Sequence, residues 1–335
     1  MDADGKRAAP DGEYDRFKVG QLWLDNRKQH INAHHGGIVF AEGAYHWLGT
    51  HCSDLPAGVK YPPSAGNLTE VGVLCYSSKD LYNWKYEGVA LPVSEDPGHD
   101  MFKGLRIERA KVVYSDATHQ YVMWFHYVQS GKTHQESYEA AVATASTVTG
   151  PYTYLRKFRP DGGQMCRDCT LFKDDDGKVY FIYASEDNKA LRISLLTPDC
   201  TDTSGRSARA FVGHYREAPA LFKKDGRYHM ITSGCTSWKP NAAQHAVATN
   251  VLGPWQSTGN PCIGERADTT FNSQGSFVLP VHGRTGAFIF MADRWNTRKL
   301  SDSRHIWLPV RFVANDRIAI EYRDEWDLSI FDALM

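Results

Sequence analysis

Residues 216–234 read REAPALFKKDGRYHMITSG, a polar opening followed by an apolar run, a turn at Asp225 and Gly226, and a second run rich in aromatic and aliphatic residues. Such a pattern predicts a β-hairpin. Glu217 lies at the mouth of the first strand, where removing an ionised carboxylate from water costs free energy unless a partner or a wet pocket compensates. The fold therefore has to account for the position of Glu217.

The same pattern occurs four more times along the chain, with openings at His34, Glu108, Arg167 and Ser273. Each hairpin is followed by a third strand, a turn and a fourth strand, and the first four turns are rich in Gly, Pro, Ser or Asp. Long helical periodicity is absent from the sequence. Four strands per unit and five units predict an all-β protein with the fold of a five-bladed β-propeller.

The 335 residues of the chain are long for one domain, although all-β architectures reach this size as single units. We predict a flexible N-terminal tail over residues 1–16 and a single catalytic propeller over residues 17–335, and we expect a monomer. The polar start lacks the apolar core of a signal peptide. It fits a mature secreted or periplasmic chain given a new Met, which we expect, or a cytosolic protein with a loose tail.

Composition excludes several function classes. The 39 acidic and 38 basic residues nearly cancel and are mixed along the chain, which disfavours nucleic-acid binding. The absence of any run of about 18 apolar residues excludes a membrane-spanning helix. The 9 Trp and 17 Tyr favour a ligand that presents both apolar faces and hydroxyl groups, such as a sugar.

We predict no metal site and no cofactor. The segment KDDDGK at residues 173–178 begins like a calcium loop but continues as a strand, so we interpret it as a hairpin turn. The segment HINAHH at residues 30–35 lacks a known zinc-ligand spacing. The CRDC segment at residues 166–169 has no second Cys pair, and we expect its cysteines to be small buried residues.

In a propeller the first strand of each blade lines the central channel, so the residues that open these strands surround one end of it. They are His34 or His35, Glu108, Asp168, Glu217 and Gln274. This arrangement explains Glu217, because the side chain then points into a wet, shared pocket. Three carboxylates that converge there repel one another, which raises at least one pKa.

Paired carboxylates around an aromatic-lined pocket are what glycoside hydrolysis requires. We predict Glu217 as the general acid, because its EAPAL context places it beside apolar residues that raise its pKa. Glu108 is flanked by Arg106, Arg109 and Lys111 and should stay ionised. The alternative for either glutamate is a salt bridge at a strand end.

Several segments together resemble glycoside hydrolase family 43, and most closely its exo-β-1,3-galactanase branch. The resemblance spans roughly residues 20–331, and its segments are INAHHGGIVF, IERAKVVY, CRDCTLF, EAPALFK, ITSGCTSWKPN, SQGSF, MADRW and DEWDLSIF. It implies a five-bladed propeller and inversion at the anomeric carbon. It also implies Glu217 as the general acid and Glu108 as the second carboxylate.

The family's usual base, an Asp on the first blade, is missing, since this chain reads NAHHGG at residues 32–37. The resemblance to the galactanase branch implies that Gln274 instead holds the attacking water. A neutral amide orients water but is a feeble base, so our hypothesis assigns proton removal to Glu108 or a relay. The alternative is that Gln274 binds only a substrate hydroxyl.

The same resemblance implies further sugar contacts from aromatic, carboxylate and hydroxyl side chains. They are Tyr127, Asp168, Glu186, Thr236, Trp238 and Trp295, with His35 as a hydrogen-bonding residue of the channel. For the two tryptophans, packing inside a blade is the alternative. Where relatives read YWYGE this chain reads HWLGT at residues 46–50, so a carboxylate for the terminal sugar is absent.

The sequence thus predicts an exo-acting, inverting hydrolase that releases galactose from β-1,3-galactan, the backbone of arabinogalactan. A family 43 arabinofuranosidase or xylosidase is one alternative, although those enzymes usually keep the first-blade Asp. A non-catalytic carbohydrate-binding propeller is the other, since loss of the base is also how enzymes become lectins. The glutamate of EAPAL argues against the lectin, which needs no proton donor.

Overall fold

The computed structural model describes residues 14–54, 68–314 and 316–332. The predicted tail over residues 1–16 falls mainly on residues outside this range, so the tail and the domain boundary stay predictions. Within the described part, Tyr14 N donates a hydrogen bond to Asn83 Oδ1 (3.0 Å). None of the described helices is long and apolar enough to cross a membrane.

The described part of the chain forms five mainly antiparallel sheets, each built around four strands in sequence order, and one two-stranded sheet. This arrangement confirms the five-bladed β-propeller. Blade 1 consists of His34–Ala41, Ala44–Thr50, Gly72–Ser78 and Lys85–Pro92; blade 2 of Leu105–Ser115, Gln120–Val128, Glu139–Ala145 and Thr153–Phe158; blade 3 of Cys169–Lys173, Val179–Ser185, Ala190–Leu196 and Thr203–Ala210; blade 4 of Arg216–Lys224, Arg227–Gly234, Gln244–Ala248 and Gln256–Gly259; and blade 5 of Gln274–Pro280, Phe288–Arg294, Arg304–Val313 and Arg317–Glu321.

The remaining elements are short. Three strand pairings extend the blades or join the chain ends: Leu68–Thr69 on blade 2, Cys262–Ile263 parallel to the outer strand of blade 5, and Phe17–Lys18 with Glu325–Trp326. Single helical turns complete the described part at His134–Ser137, Pro160–Gly163, Ala267–Thr269, Leu300–Asp302 and Leu328–Asp332.

The first strands of the five blades form a closed ring, since each contacts the first strand of the blade on either side. Within each blade the second, third and fourth strands follow outward from the ring in sequence order. Apolar side chains fill the space between neighbouring blades. The ring places the openings of the first strands around one axis, as the sequence predicts. Polar side chains from separate parts of the chain therefore meet there.

Irregular pairing marks the openings of these first strands. Register shifts follow His34, Glu108 and Glu217, and the residue after each has a left-handed φ, namely 55° at His35, 62° at Arg109 and 52° at Ala218. Such bulges bend a strand and re-aim its side chains, and they are common beside active sites. Here they allow adjacent residues to face the same cavity.

The seam between blade 1 and blade 5 is closed by buried polar and aromatic contacts. Asp293 Oδ1 accepts a hydrogen bond from His34 Nδ1 (2.8 Å), and its Oδ2 accepts one from His35 N (3.0 Å). His305 Nδ1 lies 3.3 Å from Asp293 Oδ1. The two chain ends meet nearby, where the rings of Phe17 and Trp326 stack 4.3 Å apart.

We expect Asp293→Ala to lower the free energy of unfolding by about 3 kcal/mol, because it leaves several buried donors without their acceptor. Urea titration at pH 7.5 measures the effect. Asp116→Ala is the matched control, since Asp116 pairs with Lys173 on the exposed surface and should change stability by about 0.5 kcal/mol or less. Equal losses in both variants would contradict a structural role for the buried carboxylate.

Candidate active site

Glu217 lies half-buried at the opening of the first strand of blade 4. Its Oε1 accepts a hydrogen bond from Gln274 Nε2 (3.0 Å), and its Oε2 accepts one from Asn188 Nδ2 (3.0 Å). Burial, followed by the negative charge of Asp168, raises the pKa of Glu217 to about 7. A carboxyl group with this pKa holds its proton in a useful fraction of molecules near neutral pH.

Asp168 lies just before the first strand of blade 3 and is paired with Arg109. Arg109 Nη2 is 2.9 Å from Asp168 Oδ2, and the same oxygen accepts a hydrogen bond from Ala218 N (3.0 Å). Burial acts to raise the pKa of Asp168, but the charge of the Arg109 guanidinium and the other lowering interactions together bring this pKa below its ordinary value. Asp168 therefore stays ionised and acts on Glu217 as a fixed negative charge.

Gln274 connects the cationic and acidic sides of the site. Its Oε1 accepts a hydrogen bond from Arg109 Nη2 (2.7 Å), and its Nε2 donates to Glu217 Oε1 and to Ser233 Oγ (3.0 Å each). Both amide hydrogens are thereby engaged, whereas a carbonyl oxygen has two lone pairs. One lone pair of Oε1 remains for a further donor, which is what the predicted contact with water requires.

Glu108 is buried at the opening of the first strand of blade 2, where its Oε2 lies 3.0 Å from His126 Nδ1. Possible ligand atoms of Glu108, His126 and Asp168 all lie within 4.8 Å of one another. Glu108, Asp168 and Glu217 therefore belong to one chain of contacts. The roles of Glu108, Glu217 and Gln274 in catalysis stay predictions.

Two of the three cations beside Glu108 in the sequence make their hydrogen bonds to other groups. Arg109 contacts Asp168 and Gln274, as described above, and Lys111 Nζ donates a hydrogen bond to His35 O (2.7 Å). Burial and the Arg109 charge lower the pKa of Lys111 to about 7, so Lys111 is a weak source of positive charge. The bulge after Glu108 turns the Arg109 side chain toward the site, where Asp168 and Gln274 bind its guanidinium.

His35, Trp238 and Trp295 form a cluster of rings, and its two tryptophans lie beside Gln274. The Trp295 ring lies 4.5 Å from the His35 ring and 5.8 Å from the Trp238 ring, which it meets edge to face. Both tryptophans and Gln274 line a cavity of about 180 Å³. Burial and the Arg109 charge lower the pKa of His35 to about 3, so its imidazole is neutral.

Three other predicted sugar contacts have hydrogen-bond partners within the protein. Tyr127 is buried between blades 1 and 2, and its hydroxyl donates to Asp100 O (2.6 Å). Glu186 accepts a hydrogen bond from Arg209 (2.5 Å), and Thr236 Oγ1 accepts one from Asn241 Nδ2 (2.7 Å). Their contacts with substrate stay predictions.

Within the part of the chain that the structure describes, two groups have ligand atoms close enough to share an ion: buried His34, Asp293 and His305, and Glu108 and His126 with half-buried Asp168. Each contains a direct histidine–carboxylate contact, at 2.8 Å and 3.0 Å respectively. These contacts account for the groups through bonding within the protein, and we assign no metal to either. All seven cysteines are free thiols, and only Cys235 is exposed.

Sequence reasoning missed Asn188, Arg109 and His126 as members of the site. Asn188 comes from the hairpin between the second and third strands of blade 3, so a search of strand openings does not find it. Arg109 was seen only as a neighbour of Glu108. The alternation in VMWFH places His126 on the same face as Val122 and Trp124, which pack against blade 3, and this signal could have been used.

Comparison with known proteins fixes the family. The sequence profile "Glycosyl hydrolases family 43" matches residues 61–284. The chain belongs to glycosyl hydrolase family 43. A family 43 β-1,3-galactosidase solved with galactodeoxynojirimycin is 41% identical, with a TM-score of 0.86, and the alignment covers 93% of this chain and 100% of that one. The chain is thus a family 43 glycoside hydrolase.

Two further relatives of this family 43 hydrolase differ in substrate. The exo-β-1,3-galactanase from Phanerochaete chrysosporium, solved as a variant with β-1,3-galactotriose, is 30% identical with a TM-score of 0.83, over 96% of this chain and 70% of that one. A xylan 1,3-β-xylosidase from Vibrio sp. is 26% identical over 58% of this chain. The aligned part spans only 38% of the xylosidase.

Proposed function

We propose that this family 43 hydrolase is an exo-acting, inverting enzyme that releases galactose from the non-reducing end of β-1,3-galactan. The observation that carries the proposal is the environment of Glu217, whose pKa is raised to about 7 beside an ionised Asp168. Support for galactan comes from the galactanases and the galactosidase that this chain resembles over more than nine-tenths of its length. The acid and the substrate therefore rest on separate observations.

In the proposed reaction, protonated Glu217 gives its proton to the glycosidic oxygen as the bond between this oxygen and the anomeric carbon breaks. Water attacks the anomeric carbon from the opposite face and loses a proton to Glu108, and the product is α-galactose. Proton exchange with solvent then restores protonated Glu217 and ionised Glu108. No cofactor is needed to balance these steps.

Gln274 orients the attacking water in this scheme through the second lone pair of Oε1. The hydrogen bond from Arg109 fixes the amide and leaves the oxygen in a defined direction. Inverting hydrolases place their two carboxyl groups about 6.5–9.5 Å apart to leave room for water. Because a neutral amide is a feeble base, we assign proton removal to Glu108 rather than to Gln274.

A β-1,3-xylosidase is the second candidate, on the strength of the relative from Vibrio sp.. Its identity to this chain is lower and its alignment shorter than those of the galactan-degrading enzymes. The absence of an Asp at residues 32–37 also argues against a xylosidase or arabinofuranosidase, since those enzymes usually use one as the base. The raised pKa of Glu217 argues against a non-catalytic binding protein.

The test is to incubate the enzyme with linear β-1,3-galactan and to follow the released sugar by proton NMR. We expect the α-anomer of galactose to appear first and the β-anomer to grow later by mutarotation. Release of oligosaccharides would contradict exo action, and first appearance of β-galactose would contradict inversion. Turnover of aryl xylosides or arabinosides without galactose release would move the assignment to the second candidate.

We further propose that the enzyme acts as a secreted or periplasmic monomer on a polysaccharide. A polymeric galactan is a substrate located outside the cytoplasm, which supports a secreted or periplasmic location. Size-exclusion chromatography with light scattering tests the monomer, and fractionation of the native host tests the compartment.

A further inference from the structure

A strained turn leads to the acid from blade 3. Glu186, Asp187 and Asn188 connect the second and third strands of that blade, and all three have left-handed φ values of 55°, 55° and 62°. Residues other than glycine lose about 1 kcal/mol or more in this conformation. Three in succession require compensation from the surroundings, and such strain concentrates at functional sites.

The turn delivers the Asn188 amide to Glu217. Asn188 is buried, and its Nδ2 lies 3.0 Å from Glu217 Oε2 and 3.3 Å from Cys235 Sγ. In this orientation the amide donates to both Glu217 Oε2 and Cys235 Sγ, and it suits the ionised form of Glu217, which accepts but cannot donate a hydrogen bond. Cys235 Sγ in turn donates to Tyr215 O (3.1 Å), two residues before Glu217.

We propose that Asn188 is a positioning residue that sets the orientation and the proton affinity of Glu217, with Cys235 as its anchor. The inference rests on the proposed role of Glu217 as the general acid. Gln274 holds one carboxyl oxygen and Asn188 holds the other, so two donors from different blades fix the carboxyl plane. A fixed plane directs the proton toward the glycosidic oxygen.

The donor from Asn188 gains strength as the reaction proceeds. When Glu217 gives up its proton it becomes an anion, and a hydrogen bond to an ionised acceptor is stronger than one to a neutral acceptor. Asn188 therefore stabilises the charge that develops on Glu217, which favours the transition state over the ground state. This effect predicts a change in kcat rather than in KM.

The charged and titratable groups around Glu217 come from three blades, and they are Asp168, Arg109, Arg167 and Cys235. Burial and Asp168 favour the neutral acid, whereas both arginines favour the carboxylate. The neutral Asn188 amide favours the carboxylate through its hydrogen bond alone. Removing it shifts the balance toward the protonated acid.

Asn188→Gly tests the proposal, because glycine tolerates the left-handed backbone and removes only the amide. On β-1,3-galactobiose we expect the basic limb of the kcat/KM profile to move up by about 0.5 to 1 pH unit. We also expect kcat to fall about tenfold while KM changes less than about twofold. Lys189→Ala, an exposed change in the same turn, is the control and should leave both the limb and kcat unchanged.

Two further variants separate positioning from folding. Asn188→Asp keeps the shape but adds a like charge, so the basic limb should move up by about 1 pH unit or more. Cys235→Ala removes both the anchor of Asn188 and the thiol's own hydrogen bond to Glu217, and both losses should move the basic limb in the same direction. Circular dichroism and the urea midpoint establish that each variant is folded.

An unchanged limb in folded Asn188→Gly and Asn188→Asp would overturn the proposal. A rise in KM alone would overturn it too, since that result assigns Asn188 to sugar binding. Failure of the proposed role of Glu217 gives a different result from failure of the Asn188 proposal. In that case Glu217→Gln would remain active, whether or not the Asn188 variants change the pH profile.

Discussion

Glu217→Gln lowers kcat on β-1,3-galactobiose by about 10³-fold, the expected loss when a general acid is removed. The wild-type enzyme should lose activity tenfold per pH unit above about pH 7, because the pKa of Glu217 is raised to about 7 and only its protonated form reacts. The variant should lack this basic limb, since glutamine does not titrate. Initial rates from pH 4.5 to 9 measure both effects.

β-Galactosyl fluoride provides a sharper comparison, because fluoride leaves without a proton from the enzyme. On this substrate Glu217→Gln should lose less than about tenfold, whereas a variant with a damaged sugar pocket would lose activity on both substrates. Glu265→Gln is the matched control, since Glu265 is exposed, and it should behave as wild type. A residual basic limb in Glu217→Gln would show that another group supplies the proton.

Between pH 6.5 and 4.5 the free energy of unfolding should fall by about 5 to 8 kcal/mol. Several buried histidines have pKa values below the ordinary 6.5, and among them the pKa is about 3 for His35 and His245 and about 4 for His229, with burial as the main cause. As the pH falls below 6.5 the unfolded chain binds protons that the folded chain cannot. Stability present above this pH is therefore lost on acidification.

Hydrogen bonding explains why His229 and His245 stay neutral. The Thr258 hydroxyl donates to His245 O (3.2 Å), so it accepts from His245 Nδ1 (2.6 Å). His245 Nε2 then carries no proton and accepts from His229 Nδ1 (3.1 Å). Protonation of His245 would set two donors against each other, and the ring stacked on Phe222 leaves His229 little access to water.

Urea midpoints measured from pH 7.5 to 4.5 test this expectation. His229→Gln replaces one titrating group and should retain about 2 kcal/mol more of its neutral-pH stability at pH 4.5 than wild type does. His214→Gln is the control, because His214 is exposed, and it should follow the wild-type curve. Midpoints independent of pH in all three proteins would refute the buried-histidine explanation.

The fold follows from the sequence because its signal is repeated five times. Each hairpin alone would be ambiguous, but repetition with one order of polar opening, apolar run and turn leaves few architectures. The repeats also bring Glu108, Asp168, Glu217 and Gln274 into one chain of contacts. These residues lie at or next to the opening of the first strand in their blades. The propeller places these openings side by side around its axis.

The inner connections of the site could not be predicted in the same way. Arg109 follows Glu108 directly, and regular alternation would send the two side chains to opposite faces. The bulge that brings both to the site depends on the left-handed φ of 62° at Arg109. Arginine does not favour this conformation, so the sequence does not predict it. Asn188 likewise depends on a turn whose conformation is set by tertiary contacts.

The closure of the ring has a consequence for chain connectivity. Every blade takes its four main strands from one continuous segment, and Phe17–Lys18 pairs with Glu325–Trp326 across the seam. Among the described strands, none is exchanged between the first and last blades to lock them together. A circularly permuted gene that joins these ends and opens the loop between two other blades would therefore encode the same five intact blades, with the seam as an ordinary covalent connection.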